Sequence, residues 1–354
     1  MKKVLSMLLV LALALSVVGC TAAEVSSTGT ESATATEPAA TEAAAPAADS
    51  GKVYDLKLSL VQSANEPFGE LVEILKSRIE EYTNGRVKCE VYYNGELGDN
   101  VDTCEAILQG ANIVTFPTFD FYAPYILDVS ILDGPFFFQS PDELAKLEAS
   151  DWWAEQVQKM EDINLWYGGA MYLGARSLLH NVPGAKLPED FKGQVMRSAS
   201  TTMRHAMCEA ITGNVATIAW SEIYSALSTG VAEMCEAPLG SIVSTKIYEV
   251  CRYITLDEHI YAFQAPWIAK SWVDALPADV REGFERAVKE TCAESVDYIN
   301  QSEAEYRALL ESEGVTFIEV DDKDAWVEAT KSAYDSIQWE EPDLYQKCQA
   351  ILGR

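Results

Sequence analysis

Basic side chains are scarce in this chain. Its 354 residues hold 26 lysine and arginine against 55 aspartate and glutamate, so the formal net charge at pH 7 is −29. Nucleic-acid binding requires a concentrated basic surface that neutralises phosphates, and a chain with twice as many acids as bases repels a polyanion. We therefore expect no nucleic-acid partner and no binding to bare anionic lipid.

Histidine is limited to three residues, which restricts imidazole-based metal chemistry. Beyond Cys20 there are seven cysteines, an odd number, and none stands in Cys-x-x-Cys spacing, so neither a zinc ribbon nor a thioredoxin-type motif is supported. His205 and Cys208 could share one helix face, but two such ligands without nearby partners are more often packing. We predict no metal site and no cofactor.

The signature motifs of common hydrolases and nucleotide-binding enzymes are absent. Gly-x-Ser-x-Gly, His-Glu-x-x-His, the Walker Gly-Lys-Ser/Thr and Gly-x-Gly-x-x-Gly do not occur. Neighbouring acids such as Glu189 and Asp190 lie in a predicted turn and are typical of a solvated surface. We predict no catalytic residue and no enzyme activity, with carboxylate-based glycoside hydrolysis left as an unsupported alternative.

The amino terminus is predicted to be a bacterial secretory signal. Lys2 and Lys3 precede an apolar run of about 15 residues, shorter than the roughly 20 that a permanent membrane-spanning helix needs. The run ends in Val17-Val18-Gly19-Cys20, which resembles the lipobox of bacterial lipoproteins and implies cleavage before Cys20 and lipid attachment to it. Residues 1–19 are then the signal peptide. The alternative is an ordinary signal with a chance cysteine.

Residues 20–51 are predicted to comprise the lipidated cysteine, Cys20, and a flexible low-complexity linker. Residues 21–50 are almost only Ala, Thr, Ser, Glu, Pro and Gly, without an aromatic residue or a periodic apolar stripe. Such a segment cannot bury enough apolar surface to offset its chain entropy. Lipid chains on Cys20 would hold a soluble domain at the membrane face, so we expect an extracytoplasmic, lipid-anchored protein.

The first part of the globular region alternates strand and helix patterns. Strands are predicted at 53–60, 87–93 and 111–116, and helices at 66–82 and 99–109. A βαβαβ order predicts parallel strands joined by right-handed crossovers, with ligands bound beyond the carboxyl ends of the strands. The segments after Leu60, Tyr93 and Phe116 should therefore contribute to a site.

The pattern beyond residue 140 is more mixed. It predicts helices at 141–160, 201–212 and 221–228, and strands at 165–179, 194–197 and 231–235. Residues 277–314 contain Gly283 but no internal proline, which predicts one helix of over thirty residues, about 50 Å long. A helix of that length is suited to brace two halves of a bilobed protein.

Two arginines stand outside amphipathic charge patterns. Arg197 closes the short apolar strand Val195-Met196-Arg197, and Arg176 follows Gly174-Ala175 in an aromatic stretch. A guanidinium at a strand end can bind a carboxylate through two parallel charge-assisted hydrogen bonds, which lysine cannot reproduce. Taken alone, each arginine is more often part of a structural salt bridge.

The segments at 192–197 and 220–231 resemble the solute receptors of tripartite ATP-independent periplasmic (TRAP) transporters of the C4-dicarboxylate type. Segments 95–98, 109–111, 132–138 and 276–280 also resemble that family, and the resemblance extends over about 54–338. It implies an α/β, periplasmic-binding-protein-like fold of two α/β lobes with crossing strands and a long helix spanning both. We expect lobe I at 52–174 plus about 262–302, and lobe II at about 175–261 plus 303–354.

The resemblance also implies a set of ligand-binding residues. The carboxylate-clamping arginine of the family falls on Arg197, a second arginine on Arg176, an aromatic wall on Trp220 and a polar contact on Ser200. Weaker candidates follow the ends of the first and third strands: Gln62, Asn65 and Thr118. A buried tryptophan is structural at least as often as it stacks on a ligand.

One segment departs from the family pattern. Where the family usually has Gln-Glu-Asn-Pro, this chain has Cys235-Glu236-Ala237-Pro238, so a methyl group replaces an amide that would assist the arginine. This argues against a direct copy of the usual dicarboxylate or sialic-acid pocket. The aromatic residues near the inferred site are Phe116, Phe119, Phe121, Tyr122 and Trp220. They would suit a carboxylate ligand whose remaining part is less polar, or they form the hydrophobic core instead.

The sequence therefore predicts an extracytoplasmic receptor that captures a small organic acid between two lobes and delivers it to the membrane permease subunits of a TRAP transporter. Alternatives are a cell-surface lipoprotein enzyme acting on polysaccharide, an ABC-type solute receptor and a signalling sensor with the same fold. The thirty-residue helix and the Trp220-Ser221-Glu222 pattern argue against the ABC type.

Overall fold

A computed structural model describes residues 51–354. The predicted signal peptide, the lipidation site at Cys20 and nearly all of the predicted linker lie outside the described residues. Within 51–354, none of the helices combines the length and the apolar character needed to cross a bilayer.

The described residues form strands and helices that alternate strictly only in the first part of the chain. The strands are β1 (Tyr54–Ser59), β2 (Val87–Tyr92), β3 (Ile113–Thr115), β4 (Leu165–Trp166), β5 (Met171–His180), β6 (Val195–Ser198), β7 (Asn214–Thr217), β8 (Cys235–Ala237), β9 (Tyr253–Gln264), β10 (Ile268–Ala269) and β11 (Thr316–Glu319). The α-helices are α1 (Pro67–Tyr82), α2 (Asn100–Leu108), α3 (Glu143–Glu148), α4 (Asp151–Asp162), α5 (Thr202–Thr212), α6 (Ile223–Thr229), α7 (Leu239–Thr245), α8 (Lys270–Asp274), α9 (Ala278–Ser312), α10 (Lys323–Thr330), α11 (Ser332–Asp335) and α12 (Leu344–Leu352).

The first sheet has the strand order β2-β1-β3, and all of its strands are parallel, as predicted. Pro67 starts α1. At this position a backbone N–H would have no acceptor within the helix, so proline costs no hydrogen bond. The helix buries the stripe that the sequence indicates: Phe68, Leu71, Val72, Leu75 and Ile79. Asp99 caps α2 by accepting hydrogen bonds from the backbone N–H of Val101 and Asp102.

The second sheet has the order β11-β9-β5-β8, in which β5 is antiparallel to both of its neighbours. The strand predicted at 231–235 exists but starts later than predicted. The backbone N–H of Val231 bonds to Ala226 and closes α6, so pairing begins only with the isolated bridge between Met234 and Met196, and β8 starts at Cys235. The twelve-residue strand β9 was not predicted. Two further sheets are small, β6 parallel to β7 and β10 antiparallel to β4.

Two predicted elements are each divided in the structure. The predicted helix at 141–160 consists of α3 and α4, because the side chain of Ser150 caps α4 by accepting a hydrogen bond from the Trp153 N–H. The predicted strand at 165–179 consists of β4 and β5. Gly169 lies between them with a φ of 125°, a backbone conformation that interrupts an extended strand.

The predicted long helix is confirmed as α9, whose 35 residues extend over about 50 Å. It packs against α1, β5 and α7. The approach to α1 is close, since a Cβ on Gly283 would lie 2.4 Å from the backbone oxygen of Tyr82. The helix therefore contacts elements that belong to both predicted lobes.

The predicted lobe boundaries fall inside three elements, β5, β9 and α9. The pairing of β5 with β9 shifts its register between Tyr172 and Gly174 and again between Arg176 and Leu178. Gly174 has a φ of 127°. These irregularities lie where the chain is predicted to pass from one lobe to the other. The residue boundaries of the lobes stay a prediction.

Glu66 connects the start of α1 to α7. Its side chain is almost fully buried, and the Ser244 hydroxyl donates a hydrogen bond of 2.8 Å to its Oε2. Burial raises the pKa of the Glu66 carboxyl from 4.5 to about 7, although hydrogen bonds from Ser244 and Ser241 oppose the shift. Glu303 and Tyr306 of α9 line the same small cleft.

We expect Glu66 to make stability decrease as the pH rises from about 4.5 to 7. In that range the folded state keeps a proton that the unfolded state has released, so raising the pH disfavours the folded state, by up to about 3 kcal/mol. The test is urea unfolding of wild type and Glu66→Gln at pH 5 and 8. Glu81→Gln, an exposed position of α1, is the control. Equal pH dependence in wild type and Glu66→Gln would contradict the prediction.

Candidate ligand-binding site

A cavity lies where the segments after β1 and β3 face β5, β6 and α5. Its empty volume is ≈ 500 Å³ including its open mouth. The segments after β1 and β3 contribute to it, as predicted, whereas the connection after β2 reaches it only at Asn100, the first residue of α2. Its lining includes Gln62, Asn100, Thr118, Phe121, Arg176, Arg197, Arg204, Trp220, Ser241 and Gln264.

Arg197 reaches the cavity from β6 and is 4% exposed. Its Nε donates a hydrogen bond of 2.9 Å to the backbone oxygen of Ile218, and its guanidinium carbon lies 5.4 Å from the centre of the Trp220 ring. Burial lowers the pKa of Arg197 to about 10, which leaves the side chain charged at neutral pH. No residue within 51–354 accepts a hydrogen bond from its Nη1 or Nη2.

Arg176 lies on β5 and is engaged by an internal carboxylate. Its Nε donates to Oε2 of Glu236, and its Nη2 donates to Oε1 at 2.9 Å and to the Glu236 backbone oxygen at 3.0 Å. The structure therefore places this predicted arginine at the cavity with one edge already paired. Its contact with a ligand stays a prediction.

Arg204 of α5 is a second arginine on the same carboxylate, and sequence reasoning missed it. Its Nη1 donates to both oxygens of Glu236, at 3.0 and 3.1 Å. Its Nη2 lies 3.7 Å from Asp133 and 4.0 Å from Asp120. We call these five side chains, Arg176, Arg204, Glu236, Asp120 and Asp133, the buried ion cluster.

Opposite charges in the buried ion cluster stabilise one another out of water. Burial alone would raise the pKa of Glu236, but the guanidiniums of Arg176 and Arg204 hold that pKa well below its usual range. Burial raises the pKa of Asp133 well above its usual value, and the neighbouring Asp120 raises it further. Glu236 stands in the segment 235–238, which the sequence analysis compared with the family pattern. That comparison was the available sequence signal for this carboxylate.

Three further predicted residues line the cavity, Gln62, Thr118 and Trp220, and two do not. The Thr118 hydroxyl donates to Asp120 at 2.6 Å, and Trp220 is partly buried beside Arg197. The structure does not bring Asn65 and Ser200 to the cavity. Both side chains are exposed, because Asn65 lies in the turn before α1 and Ser200 in the loop before α5.

The aromatic residues expected near the site divide between wall and core. Phe121 and Trp220 line the cavity. Phe116, Phe119 and Tyr122 are at most 1% exposed and belong to the hydrophobic core. Only two of the five aromatic rings can therefore contact a ligand.

The described cysteines give no sign of metal binding or disulfides. All seven cysteines in the described part of the chain are unpaired, and six of them are buried. Across residues 51–354, no cluster of three or more His, Cys, Asp or Glu side chains is arranged to hold a metal ion. The polar groups of the cavity are therefore arginines, amides and hydroxyls.

Comparison with known proteins gives this geometry a family context. The model of the bacterial extracellular solute-binding protein family 7 matches residues 58–341. A solute-binding protein of Chromohalobacter salexigens is 31% identical over 288 residues, 78% of this chain and 83% of the relative. The C4-dicarboxylate-binding periplasmic protein DctP of Rhodobacter capsulatus is 29% identical over 295 residues, 80% of this chain and 86% of the relative.

A solved structure supports the same assignment. A TRAP periplasmic solute binding protein from Chromohalobacter salexigens, crystallised with bound D-glucuronate, superposes with a TM-score of 0.78 at 26% identity. The match covers 84% of this chain and 99% of that one. The α/β bilobed fold is thereby confirmed, and the chain belongs to the bacterial extracellular solute-binding protein family 7, the solute receptors of TRAP transporters.

Proposed function

We propose that this receptor binds a small organic carboxylate in the cavity and that Arg197 holds the carboxylate group. The observation that carries the proposal is the unpaired edge of Arg197, a buried and charged guanidinium whose Nη1 and Nη2 have no acceptor within residues 51–354. A buried charge without a partner is unfavourable, and a carboxylate supplies two acceptors in the matching geometry.

Relatives with known ligands agree with this chemistry. The Rhodobacter capsulatus relative is named for C4-dicarboxylates, and the structure from Chromohalobacter salexigens holds D-glucuronate. These ligands differ in their bodies but share a carboxylate. The shared group supports an organic acid as the ligand of this chain without selecting one.

In this proposal the protein delivers its ligand unchanged. Contacts to the ligand from both predicted lobes would favour the closed form over the open one, because a ligand shifts such an equilibrium only by its differential affinity. The partner is the membrane permease of a TRAP transporter. Lipid on Cys20 and the linker at 20–51 would keep the receptor at the extracytoplasmic face of the cell membrane.

The proposal is tested by thermal unfolding of the purified protein with a panel of organic acids and matched neutral sugars. A ligand that binds only the folded state adds about 2.7 kcal/mol of stability at 100 times its Kd, so the melting temperature should increase with the logarithm of its concentration. At least one carboxylate should produce this increase and be recovered unchanged. Stabilisation by neutral sugars alone, or turnover of the bound acid, would contradict the proposal.

A further inference from the structure

Glu66 lies in a small cleft between the start of α1 and the helix α7. Its side chain is 1% exposed, and its Oε2 accepts the hydrogen bond from the Ser244 hydroxyl. Its Oε1 is buried and has no hydrogen-bond partner among the described residues. Burying an unpartnered carboxylate oxygen costs more free energy than burying a neutral carboxyl group. The position of Glu66 therefore favours its protonated form.

No positive charge in the cleft compensates an ionised Glu66. Helix α9 contributes Glu303 and Tyr306, α7 contributes the hydroxyl of Ser241, and β5 contributes no titratable group. No Lys, Arg or His is among the residues of 51–354 that line the cleft. Burial, the charge of Glu70 on α1 and the charge of Glu66 raise the pKa of Tyr306, which places both carboxyl groups near that phenol. The charged form of Glu66 would therefore be buried among acidic groups.

The cleft around Glu66 adjoins the ligand cavity. Leu173 and Ser241 line both of them. Gln62, which lines the cavity, stands four residues before Glu66 in the segment that leads from β1 into α1. A change in how α1 contacts α7 would therefore move residues that line the ligand cavity as well.

The contact between α1 and α7 joins the two predicted lobes. Helix α1 lies in predicted lobe I and α7 in predicted lobe II, so the hydrogen bond of 2.8 Å from Ser244 to Glu66 crosses from one to the other. The helices pack closely here, since a Cβ on Gly240 would lie 3.1 Å from Cδ of Pro67. Movement of the lobes apart would break these contacts and return the Glu66 carboxyl to water.

We propose that Glu66 couples ligand binding to proton uptake, so that this receptor binds its organic acid more tightly as the pH falls. The inference rests on the proposed function, in which the ligand favours the closed form. With α1 against α7, burial raises the pKa of Glu66 to about 7, whereas in water the carboxyl would release its proton near pH 4.5. Between these values the closed form holds a proton that the open form has released, so ligand and proton favour the same form.

Isothermal titration calorimetry of the wild-type protein tests the inference. The probe is the acid that most increases the melting temperature in a panel that includes D-glucuronate. Titrations at pH 6.5 in buffers of different ionisation enthalpy should show the uptake of at least about 0.5 proton for each ligand bound. The affinity should decrease about tenfold from pH 6 to pH 8, because Glu66 loses its proton in the closed form over that range.

Glu66→Gln replaces the carboxyl by a neutral group of the same shape. This variant should bind the probe at pH 6 as tightly as wild type, keep that affinity at pH 8 and take up no proton. Glu81→Gln, at an exposed position of α1, is the control for the loss of one acidic group. Glu303→Gln is the control for the other carboxyl of the cleft, whose pKa is also raised by burial. Both controls should keep the wild-type pH dependence.

Ser244→Ala provides an independent test if Glu66→Gln does not fold. It removes a hydrogen bond that favours the ionised carboxyl, so the pH at which the affinity decreases should move upward. Binding without proton uptake in wild type, or an unchanged pH dependence in both Glu66→Gln and Ser244→Ala, would overturn the inference while leaving a carboxylate receptor in place. Absence of binding by every acid of the panel would instead overturn the proposed function and this inference with it.

Discussion

Replacing Glu236 by glutamine is expected to lower the free energy of unfolding by about 3–5 kcal/mol. Glu236 is fully buried and is the carboxylate on which Arg176 and Arg204 converge. The amide would keep the shape but remove the negative charge, leaving two buried guanidiniums with like charges close together. Removing one partner of a buried ion pair is costly because the remaining charge has lost its water without compensation. Urea unfolding at pH 7 measures the effect.

The pH dependence of the free energy of unfolding provides a second measurement of the contribution of Glu236. Because the pKa of Glu236 is lower in the folded than in the unfolded protein, its contribution to stability is present above about pH 4.5 and is lost as the pH falls through the folded pKa. Wild type should therefore lose its advantage over Glu236→Gln in acid.

Glu340→Gln is the matched control for this substitution. Glu340 forms an exposed ion pair of 2.9 Å with Lys159, and such pairs contribute about 0–1 kcal/mol. A loss of less than about 1 kcal/mol in Glu236→Gln, similar to that of the control, would show that the buried ion cluster does not stabilise the fold.

The sequence predicts the first βαβαβ unit well because each of its elements depends on nearby residues. The strand pattern and the helical stripe of α1 are local, and Asn84-Gly85, both with positive φ, ends the helix within the same segment. The long helix α9 is likewise visible as a run without proline. These elements lie within about two residues of their predicted boundaries.

The buried ion cluster could not be predicted in this way. Arg176 and Glu236 are 60 residues apart in the chain, and Arg204 and Glu236 are 32 apart. Arg197 and Arg204 lie close together in the sequence, yet one has an unpaired edge and the other is surrounded by carboxylates. Which arginine is free depends on how β5, β8 and α5 pack, and local patterns contain no information on that packing.

Arg197→Met is expected to weaken carboxylate binding by about 3–5 kcal/mol, a loss of roughly two to four orders of magnitude in affinity. The methionine fills a similar volume but removes the charge and both free donors that face the cavity. Arg197→Lys keeps the charge and should show an intermediate loss of about 1.5–3 kcal/mol, because an ammonium cannot make the two parallel hydrogen bonds. Calorimetry with the acid that most increases the melting temperature measures both losses.

Although Arg197→Met should weaken binding, it should not destabilise the protein without ligand. Arg197 has no internal carboxylate partner among the described residues, so its replacement by methionine removes a desolvated charge and one hydrogen bond to Ile218 without breaking an ion pair, and the melting temperature without ligand should change little. Arg286→Met, at an exposed position of α9, changes the net charge equally and should leave the affinity unchanged. Both variants remove one positive charge, and only Arg197 lines the cavity. If Arg197→Met bound the acid as tightly as Arg286→Met, Arg197 would not hold the ligand's carboxylate.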